Sequence, residues 1–119
     1  MNVSRDDVVL VDYPYSDRTG SKVRPCLVVQ NDQNNRRLDD TIVVMFSSRT
    51  QYSSSEPTQL LITANSAAGQ QAGLLFDSAV LCENIVTVDR SFVRRHIGTL
   101  PDGTMRDVDE CLKASLGIQ

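Results

Sequence analysis

The chain has 119 residues, 40% of them hydrophobic and 23% charged, the size and balance of one folded domain rather than of a disordered segment. No run of about 18 apolar residues occurs, which excludes a transmembrane helix. The start, Met1-Asn2-Val3-Ser4-Arg5-Asp6-Asp7, has no apolar signal core, so a cytoplasmic single domain over residues 1–119 is expected. The net charge of −3 speaks weakly against a nucleic-acid partner. However, ten of the twelve basic residues are Arg, and seven of the twelve lie between Arg5 and Arg49. Arg suits planar, bidentate phosphate contacts, so a basic cleft can coexist with acids gathered at Asp102, Asp107, Asp109 and Glu110.

Val8-Val9-Leu10-Val11 is a short continuous apolar run and predicts a strand buried on both sides. Tyr13 to Ser21 has turn chemistry, and Tyr15 and Arg18 within it could stack on bases and touch phosphates. Val23 to Gln30 predicts a second strand. Pro25 lacks an N–H, so this end must be an edge, a bulge or a strand start. Asn31 to Asp40 reads as a polar loop, Thr41 to Ser47 as a third strand, and Thr58 to Thr63 as a fourth. Ala64 to Gly73 reads as a short helical turn or a loop. Ser78 to Cys82 and Ile85 to Val88 read as separate strands divided by Glu83-Asn84, and Phe92 to Leu100 holds one more. Met105, Val108, Leu112 and Leu116 recur at helical spacing, with Asp102 as N-cap and Gly117 as stop. Several short strands followed by one helix predict a mainly β fold with a C-terminal helix, a small curved antiparallel sheet or partial barrel.

The chemistry on offer is narrow. Cys26, Cys82 and Cys111 lack disulfide or zinc spacing and read as buried thiols. The lone His96 and the adjacent pairs Asp6-Asp7 and Asp39-Asp40 do not form a metal-ligand pattern. No nucleotide-binding glycine motif occurs, and no cofactor is expected. A Cys–His nucleophile pair from Cys26 or Cys82 with His96 is conceivable, but burial in apolar strands suppresses the thiolate. Arg, hydroxyls and loops remain. That set suits cleavage of RNA, which carries its own nucleophile in the ribose 2′-OH. A fixed guanidinium can stabilise the phosphorane that develops. Spacing alone makes Arg24 an anion-binding residue and no more.

Asp7-Val8-Val9-Leu10-Val11-Asp12, then Gly20-Ser21-Lys22-Val23-Arg24-Pro25-Cys26-Leu27-Val28-Val29-Gln30-Asn31-Asp32, together with Ile42 to Ser48, Pro57-Thr58 and Ser78 to Arg90, resemble the MazF/PemK toxins over nearly the full length. The tail from Ile97-Gly98-Thr99-Leu100 into the helix is similar too. The resemblance implies an SH3-like or CcdB-like barrel that forms a homodimer. It also implies metal-independent cleavage of single-stranded RNA at a short motif, leaving 2′,3′-cyclic phosphate and 5′-OH ends, and a cognate antitoxin. The family's catalytic Arg falls on Arg24 and its catalytic Thr or Ser on Ser47. RNA contacts fall on Ser21, Lys22, Asn31, Ser48 and Arg49.

Two departures stand out. Many members begin with Gly-Asp where this chain has Asp6-Asp7. Many also carry a longer loop with a Glu after Gly-Ser, whereas here Lys22 follows Ser21 directly. A carboxylate sometimes credited with proton transfer is therefore missing. The alternatives are a CcdB-like toxin that binds DNA gyrase without catalysis, and an inactive SH3-like interaction module.

Overall fold

A computed structural model describes residues 1–14 and 20–119. Among these residues six strands occur: β1 (Asp7–Pro14), β2 (Ser21–Val28), β3 (Asp40–Ser47), β4 (Gln59–Ile62), β5 (Ser78–Asp89) and β6 (Val93–Thr99). The helices α1 (Asp32–Arg37) and α2 (Ala67–Gln71) and a 3-10 turn at Arg90–Phe92 connect strands, and α3 (Asp102–Leu116) follows β6. The strands form one sheet in the order β4-β5-β3-β2-β1-β6, and every pair is antiparallel. Among the described residues no ladder joins β4 to β6.

The continuous apolar runs are explained by burial on both faces of the sheet. Val8, Leu27, Val44 and Val80 join the larger core, which α3 closes with Met105, Val108 and Cys111. Their chain neighbours Val9, Val28 and Val43 point the other way, into a smaller core with Val11, Cys26, Val88 and Val93. Residues are inserted into the sheet's ladders, and such bulges increase local twist. The β1–β6 register shifts between Val8 and Val9 and again between Leu10 and Val11. On β3, Val44 faces Ile85 but Met45 faces Leu81.

That last shift corrects the expected break at Glu83-Asn84. These polar residues do not separate two strands; they bulge out of one long β5. The bulge is held from outside, where the Cys82 N–H donates to the Thr58 carbonyl at 3.0 Å and the Thr58 hydroxyl donates to Glu83 Oε1 at 3.1 Å. The polar loop expected at Asn31–Asp40 contains α1. Its cause is a cap: the Asn34 N–H donates to Asn31 Oδ1 at 2.8 Å, and Asn side chains are favoured there. Asn35 is buried and accepts from Gln30 Nε2 at 2.9 Å and Thr41 Oγ1 at 2.7 Å. At α3 the cap position belongs to Pro101, without a side-chain bond, so Asp102 is the first helical residue rather than the N-cap. Gly117 ends the helix at φ 69°.

Asp6 is the one described non-glycine residue at positive φ, 81°. Its backbone ties three elements together. Its N–H donates to the Val28 carbonyl at 3.0 Å, and its carbonyl accepts from the Leu100 N–H at 2.9 Å. Glycine adopts this conformation without steric cost, which accounts for the glycine of the resembled family at this place. No helix among the described residues is long and apolar enough to cross a membrane.

Candidate active site

The site arises where β2 leaves β3. β2 stays paired with β1 from Leu27 to Ser21, but with β3 only through Cys26, Leu27 and Val28. Pro25, the next residue, has no N–H to donate, so the ladder ends there. Beyond it a cleft of about 520 Å³ opens between Lys22–Pro25 on one side and Met45–Arg49 on the other. The last pair is Cys26 with Met45. Since side chains alternate along a strand, Arg24 lies on the face of Cys26 and Ser47 on the face of Met45, and both residues line the cleft.

Arg24 is half-buried, Ser47 likewise, and Lys22, Ser48 and Arg49 are exposed. The Ser47 oxygen accepts the Arg49 N–H at 3.1 Å. The base of this face is apolar. Cys26 is fully buried, and burial pushes its thiol up to about 12, with the charge of Arg24 pulling the other way. Burial also raises the Tyr13 phenol, with Cys26 adding to the rise and Arg24 opposing it. His96 lies on β6, its Nε2 3.2 Å from Asp7 Oδ1 and half exposed, and it does not line the cleft. The conceivable Cys–His pairs are therefore not assembled. Among the described residues lining the cleft there is no Asp, Glu or His.

Five of the expected site residues come together: Lys22, Arg24, Ser47, Ser48 and Arg49. Asn31 does not join them; its side chain caps α1, an occupation that a sequence reading of α1 as loop could not reveal. Ser21 opens β2 opposite Pro14. Tyr15 and Arg18 lie outside the described residues. A wall that sequence reasoning missed is formed by Leu74, Leu75 and Phe76. The available signal was three apolar residues in succession between Gly73 and Asp77, in a segment that is neither strand nor helix.

The chain matches the family model described as PemK-like, MazF-like toxin of type II toxin-antitoxin system over residues 4–116. It is 35% identical over 119 residues to endoribonuclease EndoA of Bacillus subtilis (strain 168), covering 99% of this chain and 97% of that one. Among solved structures it is similar to a mycobacterial endoribonuclease in complex with its cognate antitoxin, with TM-score 0.78 and 20% identity over 98% and 97% of the two chains. It also resembles MazE-MazF from Deinococcus radiodurans, with TM-score 0.77 and 17% identity over 100% of both chains. A sheet that parts at an Arg-Pro step, a hydroxyl at the end of β3 and a family match spanning nearly the whole chain agree: the chain belongs to the PemK-like, MazF-like toxins of type II toxin–antitoxin systems.

Proposed function

We propose that this chain is a metal-independent endoribonuclease toxin that cuts single-stranded RNA at a short sequence motif and is neutralised by a cognate antitoxin. The observation that carries the reading is that Arg24 and Ser47 both line one cleft, where β2 parts from β3. In this reaction the 2′-oxygen bonds to phosphorus as its proton leaves, and the bond from phosphorus to the 5′-oxygen breaks as that oxygen gains a proton. The products are a 2′,3′-cyclic phosphate and a 5′-OH. Arg24 supplies fixed positive charge to the phosphorane, where preorganised charge is worth more than in water. Ser47 already accepts from the Arg49 N–H, so its own O–H is available to donate to a phosphate oxygen. Lys22 and Arg49 extend the cationic wall for neighbouring phosphates. Among the described residues the cleft contributes charge and hydroxyl donors rather than a carboxylate, in keeping with the missing Glu after Ser21.

The finer architecture belongs to the same proposal: an SH3-like or CcdB-like barrel that forms a homodimer. It is supported by the register shifts, which add twist, and by the likeness to antitoxin-bound relatives. A gyrase-binding toxin of the CcdB-like kind has no use for a guanidinium and a hydroxyl converging on one cleft.

The test is a long single-stranded RNA incubated with the protein in EDTA. Discrete fragments with cyclic phosphate and 5′-OH ends are expected. Arg24→Ala should lose at least about 100-fold in rate while remaining folded. Intact RNA accompanied by gyrase inhibition, or an Arg24→Ala protein that cuts at the wild-type rate, sinks the reading.

A further inference from the structure

The cleft that holds Arg24 and Ser47 has a wall of the opposite chemistry. Leu75 and Phe76 line it, yet they are 85% and 71% exposed. Neither belongs to either core. Adjacent large apolar side chains held in water mark a binding surface more often than chance exposure does.

These side chains do not sit on a loose tip. Leu74, just before them, packs on the larger core, and its N–H donates to the Gly69 carbonyl at 3.0 Å. The backbone of the segment touches β6 directly. A Cβ at Gly73 would stand 2.2 Å from the Ile97 carbonyl oxygen, and one at Gly98 would stand 2.3 Å from the Ala72 carbonyl carbon. On the far side, the Ser78 hydroxyl donates to the Phe76 carbonyl at 2.9 Å and the Ala64 N–H donates to Asp77 Oδ1 at 2.8 Å. Leu75 and Phe76 are thus presented from a segment braced at both ends.

The strand side of the cleft carries Lys22, Arg24, Arg49 and the hydroxyls of Ser47 and Ser48 among apolar neighbours, while the side formed by Leu74, Leu75 and Phe76 is wholly apolar and aromatic. A nucleotide is divided in the same way, into phosphate and base. We propose that Phe76 and Leu75 form a platform for a nucleobase next to the scissile phosphate, Phe76 stacking on its face and Leu75 packing beside it, and that this contact helps select the cut site. The proposal rests on the endoribonuclease reading. A base is favoured over a protein segment because the platform shares its cleft with Lys22, Arg24 and Ser47. A phosphate held by those residues would bring its own base within reach of the other wall.

The experiment compares wild type, Phe76→Ala, Phe76→Trp, Leu75→Ala and Arg24→Ala. Each is given a random-sequence RNA pool, read by its 5′-OH ends, and an oligonucleotide carrying the preferred motif. Phe76→Ala should raise KM roughly ten-fold, in line with the worth of one base–aromatic stack. Its kcat should stay within about two-fold, as for an interaction made equally in ground and transition states. Preference at one position of the motif should flatten. Phe76→Trp should restore KM and preference, and Leu75→Ala should repeat the effect more weakly. If Phe76→Ala leaves KM and the motif unchanged while Arg24→Ala is dead, the platform is wrong and the nuclease stands. If Arg24→Ala cuts like wild type, Arg24 is not the catalytic anchor, and the reading of this cleft as the cleavage site, on which the platform rests, fails. If Phe76→Ala dissociates a dimer or releases an antitoxin peptide with the cleavage pattern unchanged, the surface belongs to a protein partner and the proposal is overturned.

Discussion

The backbone N–H of Arg49 donates to the hydroxyl oxygen of Ser47 across 3.1 Å, closing a tight turn at the end of β3. The bond fixes which part of Ser47 is spoken for: an acceptor site on the oxygen, leaving the O–H to donate. It also ties the exposed Arg49 to a residue that shares the cleft with Arg24. Ser47→Ala removes both the turn bond and the donor, and single-turnover cleavage should slow by roughly ten-fold, the worth of one neutral hydrogen bond. Ser47→Thr keeps the hydroxyl and should stay close to wild type. An alanine variant slower than Arg24→Ala would show that the hydroxyl, not the guanidinium, dominates the step.

Cys26 lies on the face that carries Arg24, but as a buried, protonated thiol with its titration pushed up to about 12. Cys82 is buried and raised to about 12 as well, first by desolvation and then by Cys111. Neither can offer a thiolate at neutral pH. Native protein at about pH 8 should therefore resist a thiol reagent at both positions and react after denaturation. Cys26→Ala should keep the cleavage rate while losing some stability to the small cavity left behind. Loss of cleavage in a folded Cys26→Ala protein would contradict this.

Asp6 bears two burdens: a backbone at φ 81°, and a carboxyl whose pKa is raised by desolvation and by the charges of Asp7, Asp102 and Asp32. A carboxyl raised on folding binds its proton more tightly in the folded state. The ionised form thus opposes folding at neutral pH, and that opposition fades as pH falls through the folded value. Asp6→Gly should stabilise by about 1 kcal/mol at neutral pH through the backbone alone, plus the relieved repulsion. Urea unfolding at about pH 7 and about pH 4 should show the gain shrinking at the lower pH. A less stable Asp6→Gly protein at neutral pH would refute the strain account.

Gly98 and Gly73 let the segment after α2 lie directly against β6. Gly98→Ala places a methyl group within 2.3 Å of backbone that cannot swing aside. Thermal unfolding should report a loss of more than about 2 kcal/mol, as for overpacking against fixed atoms. The same segment carries Leu75 and Phe76, so the surviving folded protein should also show an altered cut-site preference. An unchanged melting temperature would mean that the contact gives way easily.

Strand positions were legible because burial on both faces writes itself into local runs such as Val8–Val11 and Thr41–Ser47. The terminal helix was legible from its spacing, although Cys111 takes a core place while Leu116, on the expected stripe, is 59% exposed. Pro25 was legible as a break because a missing N–H is a property of the residue itself. Local chemistry did not reveal α1, whose start depends on one capping bond at Asn31, or the bulge at Glu83-Asn84, which depends on Thr58 from another part of the chain. The sequence alone determined that Arg24 stands at a strand break, with Ser47 at the end of a strand and family kinship linking the two. Only the tertiary structure decided that the break is a parting of β2 from β3, that Lys22 and Arg49 reach the same cleft while Asn31 does not, and that Leu75 and Phe76 form its other wall. Long-range strand pairing and a backbone contact between Gly73 and β6 make those meetings, and no window of local sequence contains both partners.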